Sequence, residues 1–449
     1  MKLLTRIAIA LCNFIYAFHK LAPTRNRIAM ISRQSNRLTL DMRLLKEEIE
    51  RQDPSVEVVT MNRKIPPGFP GKIKYILYML GPEMHAIATS RVVILEGYSI
   101  NVSILHHKKE LRVIQMWHAL GVLKKFAYLA VDTEEGHSSA LAKAMHMHEN
   151  YDYVLCSSEY CRPYYAAAFG YPESQVKVYP LPRTDLLQSD AYKKETRARI
   201  LERYPALGGV ENSEQQECSG NSGNAVNSCG SDCLENTKYS GNTDTAMNLD
   251  CMNKPNSSGS PRNSDNARYP RKKNILYAPT FRNGEDITEP LHALFEAFNY
   301  EEYNLIVKLH PIDRTKVNRM EVFECPEFST LELFSVADIL VTDYSSILFE
   351  AAVADLPVYL YTYDLDSYLE RRGFIIDFKK DVPYPMFRSP VELMRAIEDA
   401  EAMATEAGKR KEADMTTIVD AEAFAAKYVQ PGTGNTERLA EFVLAQMRV

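Results

Sequence analysis

The chain lacks any apolar run long enough to cross a bilayer. Its best candidate, Ile7–Phe18, is 12 residues, where a spanning helix needs about 20. There is no G-x-G-x-x-G dinucleotide fingerprint and no G-x-x-x-x-G-K phosphate loop, which argues against the common cofactor-binding and P-loop enzymes. A formal charge of −6 carries no general nucleic-acid footprint. Zinc spacing is missing too. Cys218, Cys229, Cys233 and Cys251 lie in a polar stretch with no histidine nearby, and Cys12, Cys156, Cys161 and Cys325 sit beside apolar segments, as buried thiols do. His106-His107 and His146-x-His148 look like ligand pairs, but residues two apart on a helix face different ways. No metal site and no cofactor is expected. Small residues for a signal-peptidase site are absent after Phe18. Lys2, Arg6 and Lys20 frame the apolar run instead, so residues 1–22 read as an interfacial helix that touches a membrane surface. A buried or disordered terminal helix is the other reading.

What is present is a two-domain α/β pattern. At 449 residues the chain exceeds what one core fills. Short apolar runs at Ile28–Ser32, Val56–Met61, Val92–Glu96, Val113–Trp117, Tyr153–Ser157 and Val176–Tyr179 have the look of strands buried on both faces. Leu38–Ile49 and Ser138–Glu149 read as helices between them. This first α/β domain spans 25–195. Residues 211–268 are dense in Asn, Ser, Gly and Asp with few large apolar residues; they cannot bury enough surface to offset ordering entropy and read as a disordered insert. A second domain, 270–405, repeats the alternation: a strand leading into a loop over Asn274–Arg282, strands at Leu305–Leu309, Ile339–Thr342 and Val358–Tyr361, and helices at Leu291–Phe298, Thr330–Ser335, Ile347–Ala354 and Pro390–Glu401. Helices over 406–449 are expected to fold back and brace the two. The fold class is α/β, two doubly wound Rossmann-like domains facing a cleft.

The chemistry sits at strand exits. His118 follows the apolar run ending at Trp117, with Gly121 for a tight turn and Lys124 and Lys125 to approach anions. A neutral imidazole there suits proton abstraction from an alcohol. His310 leaves the second domain's Leu305–Leu309 strand beside Pro311, and Lys308 precedes it on the same strand face; together they can offset phosphate charge. In Asp343-Tyr344-Ser345-Ser346, the serines open a helix whose first N–H groups suit a pyrophosphate, with Glu350 one turn on for a ribose or polyol hydroxyl. Arg282 offers a bidentate phosphate clamp, and Arg372 with Gly373 repeats the theme. A satisfied core histidine, a solvated lysine and ordinary capping serines are the bland readings of the same positions.

Taken in order, Gln115-Met116-Trp117-His118 with Gly121 and Lys124-Lys125, Tyr277–Arg282, Lys308-Leu309-His310-Pro311, Thr342–Ser346 and Arg372-Gly373-Phe374 near Asp377 resemble the CDP-glycerol glycerophosphotransferase family, the teichoic acid primases and polymerases. The resemblance implies a GT-B-like fold and peripheral attachment to the cytoplasmic face of the cell membrane, on its anionic lipids. It implies transfer of glycerol phosphate from CDP-glycerol to a lipid-linked polyol-phosphate acceptor, with CMP released. It also implies that His118 activates the acceptor hydroxyl, while His310, Arg282, Ser345 and Ser346 contact donor phosphate. One departure leaves CDP-ribitol open as donor: many glycerol-phosphate members carry His-Gly-Thr, whereas this chain has His118-Ala119-Leu120-Gly121, which is similar to members assigned to ribitol phosphate. A nucleotide-sugar GT-B glycosyltransferase and a non-catalytic membrane scaffold are the rival classes.

Overall fold

The computed structural model describes residues 2–133, 136–208, 272–282, 285–310, 312–407 and 416–448. The expected insert at 211–268 and Pro311 lie outside the described residues. The described parts form one compact unit built on two all-parallel six-stranded sheets.

The first sheet comprises β1 (Arg27–Ser32), β2 (Glu57–Asn62), β3 (Val92–Leu95), β4 (Arg112–Gln115), β5 (Tyr153–Cys156) and β6 (Val176–Val178). Its order is β2-β1-β3-β4-β5-β6. Central strands β1 and β3 are buried at every position, while the edge strand β2 is only partly covered, as expected where helices cover both faces of a parallel sheet. The second sheet holds β7 (Lys273–Tyr277), β8 (Tyr303–Val307), β9 (Val322–Phe323), β10 (Ile339–Thr342), β11 (Val358–Tyr361) and β12 (Met386–Phe387). Its order is β12-β11-β10-β7-β8-β9. Both sheets are therefore doubly wound, as the alternation of short apolar runs and helices implies.

Each sheet reverses its winding direction once, between β1 and β3 in the first and between β7 and β10 in the second. A ligand crevice opens outside the strand ends at such a point. The loops that leave these strands carry Ser32–Asn36 and Glu96 on one side, and Ala278–Arg282 and Asp343–Ser346 on the other.

Backbone contacts hold the halves together across the cleft. Lys124 forms an antiparallel bridge with Phe374, and the Ile375 and Lys125 N–H groups donate to Leu123 and Gly373 carbonyls at 2.9 and 3.2 Å. Gly121 has φ 61°, and a Cβ there would stand 2.6 Å from the Phe349 ring; only glycine lets the two halves approach this closely. The C-terminal helices do fold back. Helix Thr416–Tyr428 stacks Phe424 on Phe349 at 5.3 Å, the Tyr428 carbonyl accepts from Ser157 Oγ at 2.8 Å, and Asn435–Gln446 packs on the Leu40–Gln52 helix of the first half.

Several boundaries differ from the sequence reading. The strand expected to run to Trp117 stops at Gln115, because Trp117 takes a left-handed φ of 64°. The helix expected over Ser138–Glu149 ends at Ala144, and His146, His148 and Asn150 all have positive φ. Helix Asp190–Arg203 straddles the boundary set at 195, and Arg199 pairs with Glu332 of the second half at 2.7 Å. The edge strands β9 and β12, of two residues each, are too short to leave a periodic signal.

Candidate active site

His118 is fixed by the neighbouring strand. Its Nδ1 lies 3.0 Å from the Glu96 carbonyl at the β3 exit. A carbonyl can only accept, so Nδ1 carries the hydrogen and Nε2 keeps its lone pair. Burial lowers the His118 pKa below the ordinary histidine value, with Arg183 adding to the effect against the Glu96 carbonyl and Asp41. The ring is thus held neutral and basic at one nitrogen. The left-handed Trp117 immediately before it carries a strain of roughly 1–3 kcal/mol, offset by a Trp117 N–H bond to Gln115 Oε1 at 3.0 Å and packing on Phe126 and Phe169.

A cavity of about 230 Å³ opens at this histidine, lined by His118, Lys124 and Lys125 from the first half and by Ser346 and Arg372 from the second. Five residues singled out from the sequence in both halves therefore share one space. Lys124 Nζ donates to the Tyr368 hydroxyl at 3.0 Å. Ser346 opens the Ile347–Val353 helix without making a side-chain cap bond, which leaves its hydroxyl for the cavity. The Ser345 Oγ is turned to its own chain and accepts from Ile347 N at 3.4 Å.

His310 lies outside this cavity, exposed, at the β8 exit, with its ring 5.4 Å from Phe281. Its Nδ1 accepts from the Ile312 N–H at 3.3 Å, so the neutral ring carries its hydrogen on Nε2. The two histidines hold opposite tautomers: His118 offers a lone pair and His310 offers a donor. Desolvation lowers the His310 pKa, Asp313 opposes that, and the charge of Lys64 in the other half adds to the lowering. Lys308 Nζ is occupied by the Cys325 carbonyl at 3.0 Å and is shifted down by burial.

Two expectations are corrected. Arg282, read as a phosphate clamp, is 4% exposed. Its guanidinium donates to Asp343 Oδ2 at 2.7 Å, to both Asp364 oxygens at 2.9 and 3.0 Å and to the Thr280 carbonyl at 2.8 Å. That leaves no bidentate face for a ligand. Burial works against its charge, but Asp343 and Asp364 hold it firmly protonated. The clamp it forms is internal: it ties the loops after β7, β10 and β11 together. Glu350, read as a hydroxyl acceptor, is buried and bonds Arg183 at 3.0 Å. Among the described residues its Oε2 has no hydrogen-bond partner, and burial, outweighing Arg183, pushes its pKa up to about 7.

Arg183 is the residue that sequence reading passed over. Its Nε bonds Asp41 Oδ2 at 2.9 Å, Nη1 bonds Glu350, and Nη2 donates to the His118 carbonyl at 2.8 Å. Arg183 follows the short, partly covered edge strand β6 by five residues, so the strand-exit logic that selected His118 points to it only weakly. Glu96, buried and receiving the Ser32 and Thr39 hydroxyls at 2.5 Å each, was likewise inside an expected strand. The declined histidines have local bonds: His107 to Tyr16 Oη and the Val102 carbonyl, His148 to Tyr151 Oη.

The family model of CDP-glycerol:poly(glycerophosphate) glycerophosphotransferase matches residues 14–210 and 257–422. The teichoic acid ribitol-phosphate primase of Bacillus spizizenii is 28% identical, over 98% of this chain and 97% of its own. The teichoic acid glycerol-phosphate primase of Bacillus subtilis is 26% identical, over 70% of this chain and 68% of its own. Among solved structures, the wall teichoic acid polymerase TagF superposes with a TM-score of 0.65 at 16% identity, over 99% of this chain and 96% of that one; it shares the fold. With the family model spanning most of both sheets, the chain belongs to the CDP-glycerol:poly(glycerophosphate) glycerophosphotransferase family.

Proposed function

We propose that this enzyme transfers glycerol phosphate from CDP-glycerol to the terminal hydroxyl of a lipid-linked polyol-phosphate acceptor in teichoic acid or related surface-polymer synthesis. The observation that carries the reading is the shared cavity, in which His118, Lys124 and Lys125 of one half face Ser346 and Arg372 of the other. The acceptor oxygen attacks the phosphorus that bears glycerol. Nε2 of His118 takes the hydroxyl proton, a new P–O bond forms, and the P–O bond to the nucleotide breaks with its electron pair leaving on CMP. Phosphoryl transfer of this kind needs positioning and charge compensation more than covalent help from the protein. Lys124, Lys125 and Arg372 supply positive charge near the reacting phosphate, and Ser346 Oγ supplies a hydrogen-bond donor. His310, with its hydrogen on Nε2, and Lys308 are assigned to the departing phosphate, and Ser345 to the loop that presents it. Arg282 and Glu350 act by holding the loops in place.

Ribitol phosphate is a second donor reading, favoured by the near full-length alignment with a ribitol-phosphate primase and by Ala119 after His118. A nucleotide-sugar glycosyltransferase would add a sugar instead, and a scaffold would be indifferent to His118→Ala. No described helix is long and apolar enough to cross a membrane; attachment is assigned to the outward face of helix Lys2–His19, on anionic lipid at the cytoplasmic side. The deciding experiment supplies purified protein with lipid-linked glycerophosphate and either CDP-glycerol or CDP-ribitol, follows CMP, and weighs the lipid product. Acceptor-dependent CMP release with one polyol phosphate added supports the reading and names the donor. Absence of CMP release with both donors rejects it.

A further inference from the structure

A second, larger cavity of about 530 Å³ lies in the first half and is lined by Asn36, Asn62, Arg63, Lys64 and the Ile65-Pro66-Pro67 turn. It sits at the exits of β1 and β2, on the same side of the sheet as the β3 exit that fixes His118. The β1 exit loop connects the two places directly. Gln34 Nε2 is 3.5 Å from His118 Nδ1, and two residues later Asn36 Oδ1 accepts the Lys64 N–H at 2.8 Å. The positive charge of Lys64 also contributes to the lowering of the His310 pKa. The cavity thus lies beside the β1 exit loop, which reaches His118 two residues earlier through Gln34.

Its chemistry is one-sided. From residue 58 to residue 82 the chain has no aspartate or glutamate, but carries Arg63, Lys64, Lys72 and Lys74. Among the described residues, neither Arg63 nor Lys64 has a carboxylate partner; Arg63 lies 4.7 Å over the Tyr78 ring, which fixes its guanidinium. Among the described residues, Asn62 Oδ1 is buried with no hydrogen-bond partner. A mostly apolar pocket edged by two cations with no carboxylate partner among the described residues suits a phosphate carried on an amphiphile.

The same segment then becomes greasy. Helix Phe69–Tyr78 leaves Phe69, Ile73, Ile76 and Leu77 exposed, and Ile65 on the pocket's rim is exposed as well. Soluble proteins rarely leave such a cluster beside a charged pocket unless something amphiphilic covers it. Phosphate pocket and apolar track are joined by only the few residues from Ile65 to Phe69.

We propose that this is the acceptor site: the cavity at Asn36, Asn62, Arg63 and Lys64 holds the phosphate-bearing head of the acceptor, and its hydrocarbon chain lies along the outer face of helix Phe69–Tyr78. The proposal rests on the polyol-phosphate transfer reading and gives the acceptor its place. It explains how a hydroxyl could be delivered to His118 Nε2 while the lipid end stays at the protein surface.

Dodecyl phosphate below its micelle concentration is the probe, titrated calorimetrically into the full chain with dodecanol and glycerol 3-phosphate in parallel. Wild-type protein is expected to bind dodecyl phosphate more tightly than either. Arg63→Ser/Lys64→Ser should weaken dodecyl phosphate and glycerol 3-phosphate by about tenfold or more, as loss of charged hydrogen bonds implies. Ile73→Ser/Leu77→Ser should weaken only dodecyl phosphate. Both variants should bind CDP-glycerol as wild type does. Unchanged dodecyl phosphate affinity in Arg63→Ser/Lys64→Ser overturns the proposal, as does wild-type protein that does not bind the probe. An equal loss of CDP-glycerol binding overturns it too, since the cavity would then serve the donor. A wild-type chain that binds dodecyl phosphate here but never releases CMP would reject the transfer reading while the site stands.

Discussion

Arg183 and Glu350 meet at 3.0 Å across the boundary between the two halves, and the same guanidinium donates to the carbonyl of His118 at 2.8 Å. Closure of the cleft and placement of the base are thereby linked through one side chain. Glu350 is pushed up to about 7, above its unfolded value, so folding favours its protonated form. The stability it contributes is fully present below the unfolded carboxylate range and is lost as pH rises through about 7. Melting temperature measured from pH 4.5 to pH 8 should fall across that window in the wild type, and Glu350→Gln should flatten this component. Arg183→Ala strands Asp41 and Glu350 without their counter-ion, and breaking a buried pair this way costs about 3–5 kcal/mol. An Arg183→Ala protein as stable as wild type would contradict the linkage.

Arg282 separates a structural clamp from a ligand clamp. With its guanidinium shared between Asp343, Asp364 and the Thr280 carbonyl, Arg282→Met should lower the melting temperature by several degrees, because the buried Asp343 and the half-buried Asp364 lose their cation. A substrate-binding arginine would behave otherwise, with stability intact and KM for the CDP-polyol raised. Thermal unfolding alongside donor titration distinguishes the two patterns, and a change confined to KM would restore the phosphate-clamp reading.

His118 should leave a signature in the pH profile. Its pKa is lowered by burial, so the neutral, basic form persists below the ordinary histidine range near 6.5. The acid limb of kcat/KM should accordingly fall below pH 6.5, and protonation on further acidification should abolish turnover. His118→Asn keeps a side-chain hydrogen bond to the Glu96 carbonyl within reach but removes the base, so CMP release should drop by about 10²–10⁴-fold with CDP-glycerol binding little changed. A variant with ordinary turnover would remove His118 from the chemistry.

How much of this was legible beforehand follows from what each feature depends on. Strand exits were readable, because a buried parallel strand is a short apolar run and the residues after it tend to face the crevice; this rule pointed to His118, His310 and Ser346, of which His118 and Ser346 line the shared cavity and His310 does not. Direction beyond that point was not readable. Arg282 also follows a strand exit, yet Asp343 and Asp364, 61 and 82 residues away, turn it inward. The partner of His118 Nδ1 is a main-chain carbonyl on an adjacent strand, and no side-chain pattern encodes which carbonyl that will be. Trp117 gave no warning of its left-handed φ, since tertiary packing around its ring, rather than local preference, sets it.

Helix Lys2–His19 is two-faced, and its outward face carries the membrane prediction. Tyr16 is fully buried, its hydroxyl 3.1 Å from His107 Nδ1, and Asn13 Nδ2 donates to the Ile104 carbonyl at 2.9 Å. The helix is therefore bolted to the first half on one side. On the other side Leu4, Leu11, Phe14 and Phe18 are all more than half exposed, and their spacing of seven, three and four places them along one stripe. Replacing these four by serine removes apolar surface without touching the docked side, so the melting temperature should stay near wild type while sedimentation with anionic vesicles is largely lost. Removing residues 2–20 outright is a poorer test, because it also uncovers His107 and the Ile104 carbonyl. Should the four-serine protein still sediment fully, the stripe is not the anchor, and the apolar track of helix Phe69–Tyr78 would be the surface to substitute next.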